Sequence, residues 1–281
     1  MLPLAGLAQA SSDAASLSSP TQNTALAVDE PLPPGVEAAL WRGDQLGSPI
    51  AEVRSSGFRD LDCVLPGGGW PCGSLTEVLV SQFSIVEFRL LSPAIAALTQ
   101  AGRSVVLVGP TMAPHPPGLR HDGIDERHLI WVNVDVPRER LWSTEQLVKS
   151  GTCGAVIAWL PLVRAEQIRR LQVLAGHCSG LVFLCRPEAA ARDSSAAPLR
   201  VYAHIETDWQ ISVEVLKRRG TPLDERLYLP SMPGGLSTIM TPRLRYPSRL
   251  VSVEPSHAVD SPAAAVRKRS DVTELPEPSE H

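Results

Sequence analysis

Aromatic residues make up only 5% of the 281-residue chain, and neither sign of charge prevails: 26 Lys and Arg face 30 Asp and Glu, a formal net charge of −4. Such near-neutrality excludes a general electrostatic pull toward nucleic acid or anionic membrane, so any DNA contact must be local or made through a partner. No apolar run approaches the ~20 residues of a membrane span, and the first residues lack the positive charge that opens a secretory signal. A soluble, cytoplasmic protein with no membrane contact is expected. The five cysteines, Cys63, Cys72, Cys153, Cys178 and Cys185, form no C-x-x-C pair and are odd in number. That pattern speaks against a disulfide framework or zinc ribbon and for reduced thiols. No G-x-S-x-G elbow is present, so serine hydrolysis has no support.

What the chain does have is 43% hydrophobic residues, enough for one packed core. Residues 1–35, rich in Ala, Ser, Thr and Pro, read as a disordered N-terminal arm, because such a composition buries too little surface to order itself. Residues 233–281 turn Pro-, Ser- and charge-rich and read as a disordered C-terminal tail. One domain is therefore expected over 36–232, without internal repeats.

Within it, short β-branched runs alternate with helical patterns. Leu75–Val80, Val105–Val108, Leu129–Val134, Ala155–Leu160 and Leu181–Leu184 have the character of strands covered on both faces of a parallel sheet. Pro137–Lys149 reads as a helix, with Pro137 in its first turn and Gly151 as its cap. Leu162–Ala175 reads as another, with Ile168, Leu171, Leu174 and Ala175 on the core face. Near the first strand, a helix begins either near Ile85, kinked at Pro93, or at a Ser92-Pro93 cap. Leu199–Glu206 and Gln210–Leu216 alternate in polarity around Thr207-Asp208-Trp209 and predict an antiparallel hairpin closing the sheet edge. The fold class is α/β with a mixed sheet.

Val80–Phe88, read VSQFSIVEF, stands between a strand and a helix, behind the Gly/Pro-rich turn Pro66–Gly73. That order frames the phosphate-binding loop G-x-x-x-x-G-K-[ST], in which backbone N–H groups and Lys hold the phosphates and a hydroxyl holds magnesium. None of those residues is present, and Arg89 is the only cation nearby.

Other candidate clusters have plainer readings. His121–His128 gathers histidines and acids, a composition that suits a metal, yet its place after Pro116-Pro117-Gly118 reads as a charged surface loop. His177-Cys178 lacks a third catalytic partner. Trp70, Trp142 and Trp159 are expected in packing. Trp41, beside Arg42, is the best candidate for an interface anchor, and Lys217, Arg218 and Arg219 are candidates for a DNA-phosphate or partner contact.

The stretches Gly57–Asp62 and Leu65–Glu77 resemble the start of the RecA ATPase core, and more specifically the ImuA family of bacterial mutagenic translesion synthesis. Leu40–Leu46, Arg169–Gln172, Phe183–Pro187 and Leu216–Gly220 fit the same family in the same order, so the likeness spans roughly 36–232. The resemblance implies a RecA-like three-layer core with a mixed, mainly parallel sheet. Counted from Glu77, the loop Gly, Lys and hydroxyl positions fall on Ile85, Val86 and Glu87. The acid that positions the attacking water has no counterpart in Gly109–Pro114, where Thr111 stands. The magnesium-orienting Asp falls near Trp159.

By this resemblance the protein is a pseudo-ATPase with no catalytic residue, cofactor or metal, serving as an adaptor in SOS-induced, error-prone translesion synthesis. Its implied partners are an ImuB-like inactive Y-family polymerase, a DnaE-type error-prone polymerase and RecA, with DNA contact indirect. The alternatives are a SulA-like cell-division inhibitor, from the same fold group, and a RecA-like ATPase with an atypical nucleotide loop.

Overall fold

A computed structural model describes residues 52–251 of the chain. The expected arm over 1–35, the interface candidates Trp41 and Arg42, and residues 252–281 lie outside the described residues.

The Gly-rich turn is a structural device. It sets β2 (Trp70–Pro71) antiparallel to β1 (Val53–Arg54), around the short helix α1 (Arg59–Val64). A Cβ on Gly69 would stand 2.4 Å from the Arg54 carbonyl oxygen, so only glycine permits the approach. Trp70 is fully buried and meets Phe183 edge-on, ring centroids 5.3 Å apart.

The main sheet has eight strands: β3 (Leu75–Val80), β4 (Val105–Val108), β5 (Leu129–Val132), β6 (Ala155–Trp159), β7 (Leu181–Pro187), β8 (Leu199–Ile205), β9 (Gln210–Lys217) and β10 (Arg226–Pro230). Their order is β10-β9-β8-β3-β7-β6-β4-β5. From β8 to β5 every neighbour is parallel; β8-β9 and β9-β10 are antiparallel. The mixed, mainly parallel sheet expected from the strand patterns is present. The hairpin β8-β9 forms as expected, but β10 supplies the edge beyond it, its exposed and buried residues alternating as one free face requires.

Helices cover both faces and make three layers. On one, α2 (Val86–Gln100) packs Val86, Leu90, Leu91, Ala94 and Ile95 against Val78, Val80, Leu107 and Ile157. On the other, α4 (Pro137–Ser150) and α5 (Ala165–Ala175) pack Leu141, Val148, Ile168, Leu171 and Ala175 against Leu75, Val106, Val156 and Leu184. The alternation of β6 explains the division: Ala155, Ile157 and Trp159 face α2, while Val156 and Ala158 face the other layer.

The two readings of the first long helix resolve in favour of the longer one. It begins at Val86 and retains Pro93 inside. An internal proline costs about 3 kcal/mol, and each fully buried Leu, Ile or Val in the first turns returns roughly 1.5–3 kcal/mol. A Cβ on Gly57, at φ +84°, would lie 2.3 Å from the Pro93 Cβ, so the glycine makes room for the ring.

Elsewhere the boundaries shift. Helix α5 starts at Ala165, because Arg164 is still extended, with ψ 156°. Strand β5 stops at Val132, where its single neighbour β4 ends. Trp142, expected in packing, is 62% exposed; its neighbour Leu141 takes the core-facing position of α4.

Residues 233–251, assigned from sequence to the tail, add α6 (Gly234–Ile239), α7 (Pro242–Arg245) and α8 (Ser248–Val251), with α3 (Pro116–His121) beneath α6. They hold the β8-β9 turn, where Asp208 and Trp209 adopt φ of 56° and 60°. Two consecutive left-handed residues are strained without glycine. Here the Asp208 carboxylate accepts from Ser248 N at 2.9 Å and from its hydroxyl at 2.5 Å, while Trp209 Nε1 donates to the Leu244 carbonyl at 3.0 Å. No helix of the described residues is long and apolar enough to cross a membrane.

Candidate functional site

Strand β3 runs into the turn Ser81–Ile85 and then into α2, the path on which a phosphate loop would lie. Instead of a row of glycine amides, the turn bends at Ser84, which takes φ +70°. Its backbone N–H donates to Glu87 Oε1 at 2.6 Å. The same oxygen accepts from Trp159 Nε1 at 2.7 Å.

The two residues start on different elements. Strand β6 is separated from β3 by β7, and Trp159 is the register partner of Cys185 on β7. From there its indole reaches α2, where it also meets the Phe88 ring at 5.7 Å between centroids. Glu87 and Trp159 are 1% and 2% exposed. Burial pushes the Glu87 carboxyl above its ordinary pKa, against the lowering effect of the Trp159 and Ser84 donors. Oxygen Oε2 has no partner among the described residues. Burial also holds the Cys185 thiol well above its ordinary value, and the nearby Glu87 charge adds to the shift.

By the resemblance to RecA, Glu87 would fall at the loop hydroxyl position and Trp159 near the position of the magnesium-orienting Asp. These two positions are bonded to each other. Val86, at the lysine position, is fully buried in the core, and Ile85 is half-exposed with no charge to offer. Arg89 donates through Nε to the Ser231 carbonyl at 2.9 Å, so it points across to the loop after β10; burial lowers its pKa.

After β4, Gly109 at φ +59° is pressed by Arg140, whose Nε lies 2.1 Å from where a Cβ would be. Arg140 donates Nε to the Val134 carbonyl at 3.0 Å and Nη1 to the Trp159 carbonyl at 3.1 Å. A guanidinium committed to backbone oxygens thus ties the segment after β5 to the end of β6. Thr111 is exposed beyond it. Sequence reasoning did not single out Arg140; its cation lies one turn into a helix that otherwise read as packing.

The basic knot is not a free patch. Lys217 Nζ donates to the Ser195 carbonyl at 2.9 Å, and Arg218 donates to the Thr221 carbonyl at 2.6 Å and also to the Val64 carbonyl. Arg219 is exposed and has no bonded partner among the described residues. A single uncommitted cation is weak ground for phosphate binding, which scales with the number of charges neutralised.

The His121–His128 stretch is laced by its own ion pairs, Arg120–Glu126 at 2.7 Å and Arg127–Asp125 at 2.7 Å. The Arg127 hydrogen bonds hold Asp125 down to about 2. Asp122 accepts from Gly234 N and secures α6. His177 and Cys178 follow α5, where Cys178 Sγ faces the Gly180 carbonyl at 3.7 Å.

A buried charge cluster went unread in the sequence. Glu77, fully buried in the middle of β3, accepts from Arg186 on β7 at 2.7 Å and from Arg200 on β8 at 2.5 Å. Arg186 also reaches Asp193 at 2.8 Å, and Arg200 donates to the Ala190 carbonyl at 2.8 Å. A 3-10 turn over Glu188–Arg192, not a long helix, covers this part of the sheet and supplies those acceptors. Three charged residues lone among apolar neighbours, in LTEVLV, FLCRP and LRVYAHI, were the signal. Pairing them required the strand order.

The sheet and its three layers define an α/β protein with a mixed, mainly parallel sheet. Sequence comparison adds a partial relationship to RecA and SulA. The chain is 31% identical over 123 residues to Protein RecA of Streptomyces venezuelae, covering 44% of this chain and 32% of that one, and equally similar to Protein RecA of Streptomyces coelicolor. It is 26% identical over 108 residues to the Cell division inhibitor SulA of Photorhabdus laumondii, covering 30% of this chain and 61% of that one. The chain spans about a third of the length of the RecA proteins it matches. No family model matches.

Proposed function

We propose that this protein is a non-catalytic, RecA-like adaptor of the ImuA kind, acting in SOS-induced, error-prone translesion DNA synthesis with an ImuB-like inactive polymerase, a DnaE-type error-prone polymerase and RecA. The observation that carries the non-catalytic part is the Trp159–Glu87 hydrogen bond, which fills the two magnesium positions with each other's side chains. The loop from Ser81 to Glu87 contains no Lys or Arg and ends in a carboxylate, which repels phosphate charge. What remains useful is the scaffold and its surfaces, a reading by fold analogy.

Support for the translesion role comes from the ordered run of ImuA-like stretches, of which Phe183–Pro187 forms most of β7 and Leu216–Gly220 runs from the end of β9 into the following turn. The test is a pull-down of the purified full chain against RecA filaments and an ImuB-like protein. Capture of either supports the adaptor; binding to neither removes it. A second reading, a division inhibitor, draws on the SulA similarity, which covers a larger share of that protein than of RecA. Filamentous cells on overexpression, with binding to the tubulin-like division protein, would favour it.

A further inference from the structure

A cleft of about 330 Å³ opens between the starts of α4 and α5, at the carboxyl end of β6. Leu141, Trp159 and Leu160 form its buried floor, and Leu162, 79% exposed, stands at its rim. Arg138 and Arg164 line it too; both are exposed, and neither side chain has an ion-pair partner among the described residues. Arg140 is spent on the Val134 and Trp159 carbonyls. No carboxylate lines the cleft. An apolar slot flanked by two uncommitted guanidinium groups fits an acidic segment with an aliphatic anchor.

This chain contains such a segment outside the described residues. Asp271–Glu280 reads DVTELPEPSE, with Asp271, Glu274, Glu277 and Glu280 spaced three apart, Val272 and Leu275 between them, and no Lys or Arg. The described chain also ends on the correct side. Strands β8, β3, β7 and β6 are all parallel, so the carboxyl ends of β8 and β6 share one edge of the sheet. Helix α8 is fastened to that edge by Ser248 on Asp208. Strand spacing puts β8 roughly 15 Å from β6, whereas the connecting residues 252–270 span up to about 60 Å when extended.

We propose that Asp271–Glu280 docks in this cleft, with Leu275 in the apolar slot and its carboxylates against Arg138 and Arg164.

Photo-crosslinking in the full chain tests this. Leu162→p-benzoylphenylalanine is irradiated and the products mapped by mass spectrometry, with Val173→p-benzoylphenylalanine, on the exposed side of α5, as control. The proposal expects an intramolecular cross-link from position 162 to 271–280, absent from position 173. The yield should fall about fivefold in E274K/E277K or in R138E/R164E, as loss of two exposed ion pairs requires. A product joining two copies, a product elsewhere in the chain, no product, or a yield indifferent to charge reversal overturns it.

Discussion

Trp159 Nε1 and Glu87 Oε1 lie 2.7 Å apart, across the end of β7, and join the central sheet to the first turn of α2. By the resemblance to RecA, these positions would correspond to ones that serve a metal ion in a nucleotide-binding protein. Here an indole and a carboxylate satisfy each other, and Phe88 packs beside them. The turn after β3 is held by these hydrogen bonds and by packing.

Removing the donor exposes that arrangement. Trp159→Phe keeps an aromatic ring but leaves Glu87 with Ser84 N as its remaining side-chain-binding donor, and it vacates core volume. The expected loss is ~2–3 kcal/mol of unfolding free energy, read as a lower urea midpoint at unchanged slope.

Glu87 also sets a pH dependence. Its folded pKa is raised, mainly by burial, so its contribution to stability is full below the unfolded carboxylate range and is lost as pH rises through the folded value. Glu87→Gln keeps an oxygen for Trp159 and Ser84 and removes the charge. Unfolding midpoints measured from pH 4 upward should fall for the natural protein relative to Glu87→Gln; parallel curves would refute the assignment.

Breaking the Glu77 cluster should cost more than removing it. Arg186→Met leaves the fully buried Glu77 with Arg200 alone, for an expected loss of ~3–5 kcal/mol. The triple variant Glu77→Met, Arg186→Met, Arg200→Met leaves no uncompensated charge and should lose less than the single change. Denaturant titration of both variants decides the order.

Arg218 and Arg219 separate structure from contact. Arg218→Ala frees the carbonyls of Val64 and Thr221 and should destabilise by about 1–2 kcal/mol, whereas Arg219→Ala should leave thermal stability unchanged. If the protein touches DNA through this knot, Arg219→Ala lowers the salt slope of binding by about 1.

The strand runs declared themselves because a parallel strand covered on both faces must be continuously apolar, as β4 and β6 are. The absence of loop chemistry was equally plain, since glycine, lysine and hydroxyl are local requirements. What the order of residues did not display was their pairing. Glu87 read as a misplaced carboxylate and Trp159 as a packing residue, and only the strand order, with β7 between β3 and β6, shows that one answers the other. The same holds for Glu77 with Arg186 and Arg200, which lie 109 and 123 residues away in the chain. The helices after β10 were missed because their residues mix with Pro, Ser and Arg, a composition typical of tails. Their order comes from tertiary bonds to Asp122, Asp208 and Trp209.

The most direct test of the central claim is calorimetric titration of the full chain with ATP and magnesium. A loop closed by Trp159 and Glu87, with no cation to offer, predicts no heat of binding at millimolar nucleotide. A micromolar dissociation constant, abolished by removal of magnesium, would contradict it.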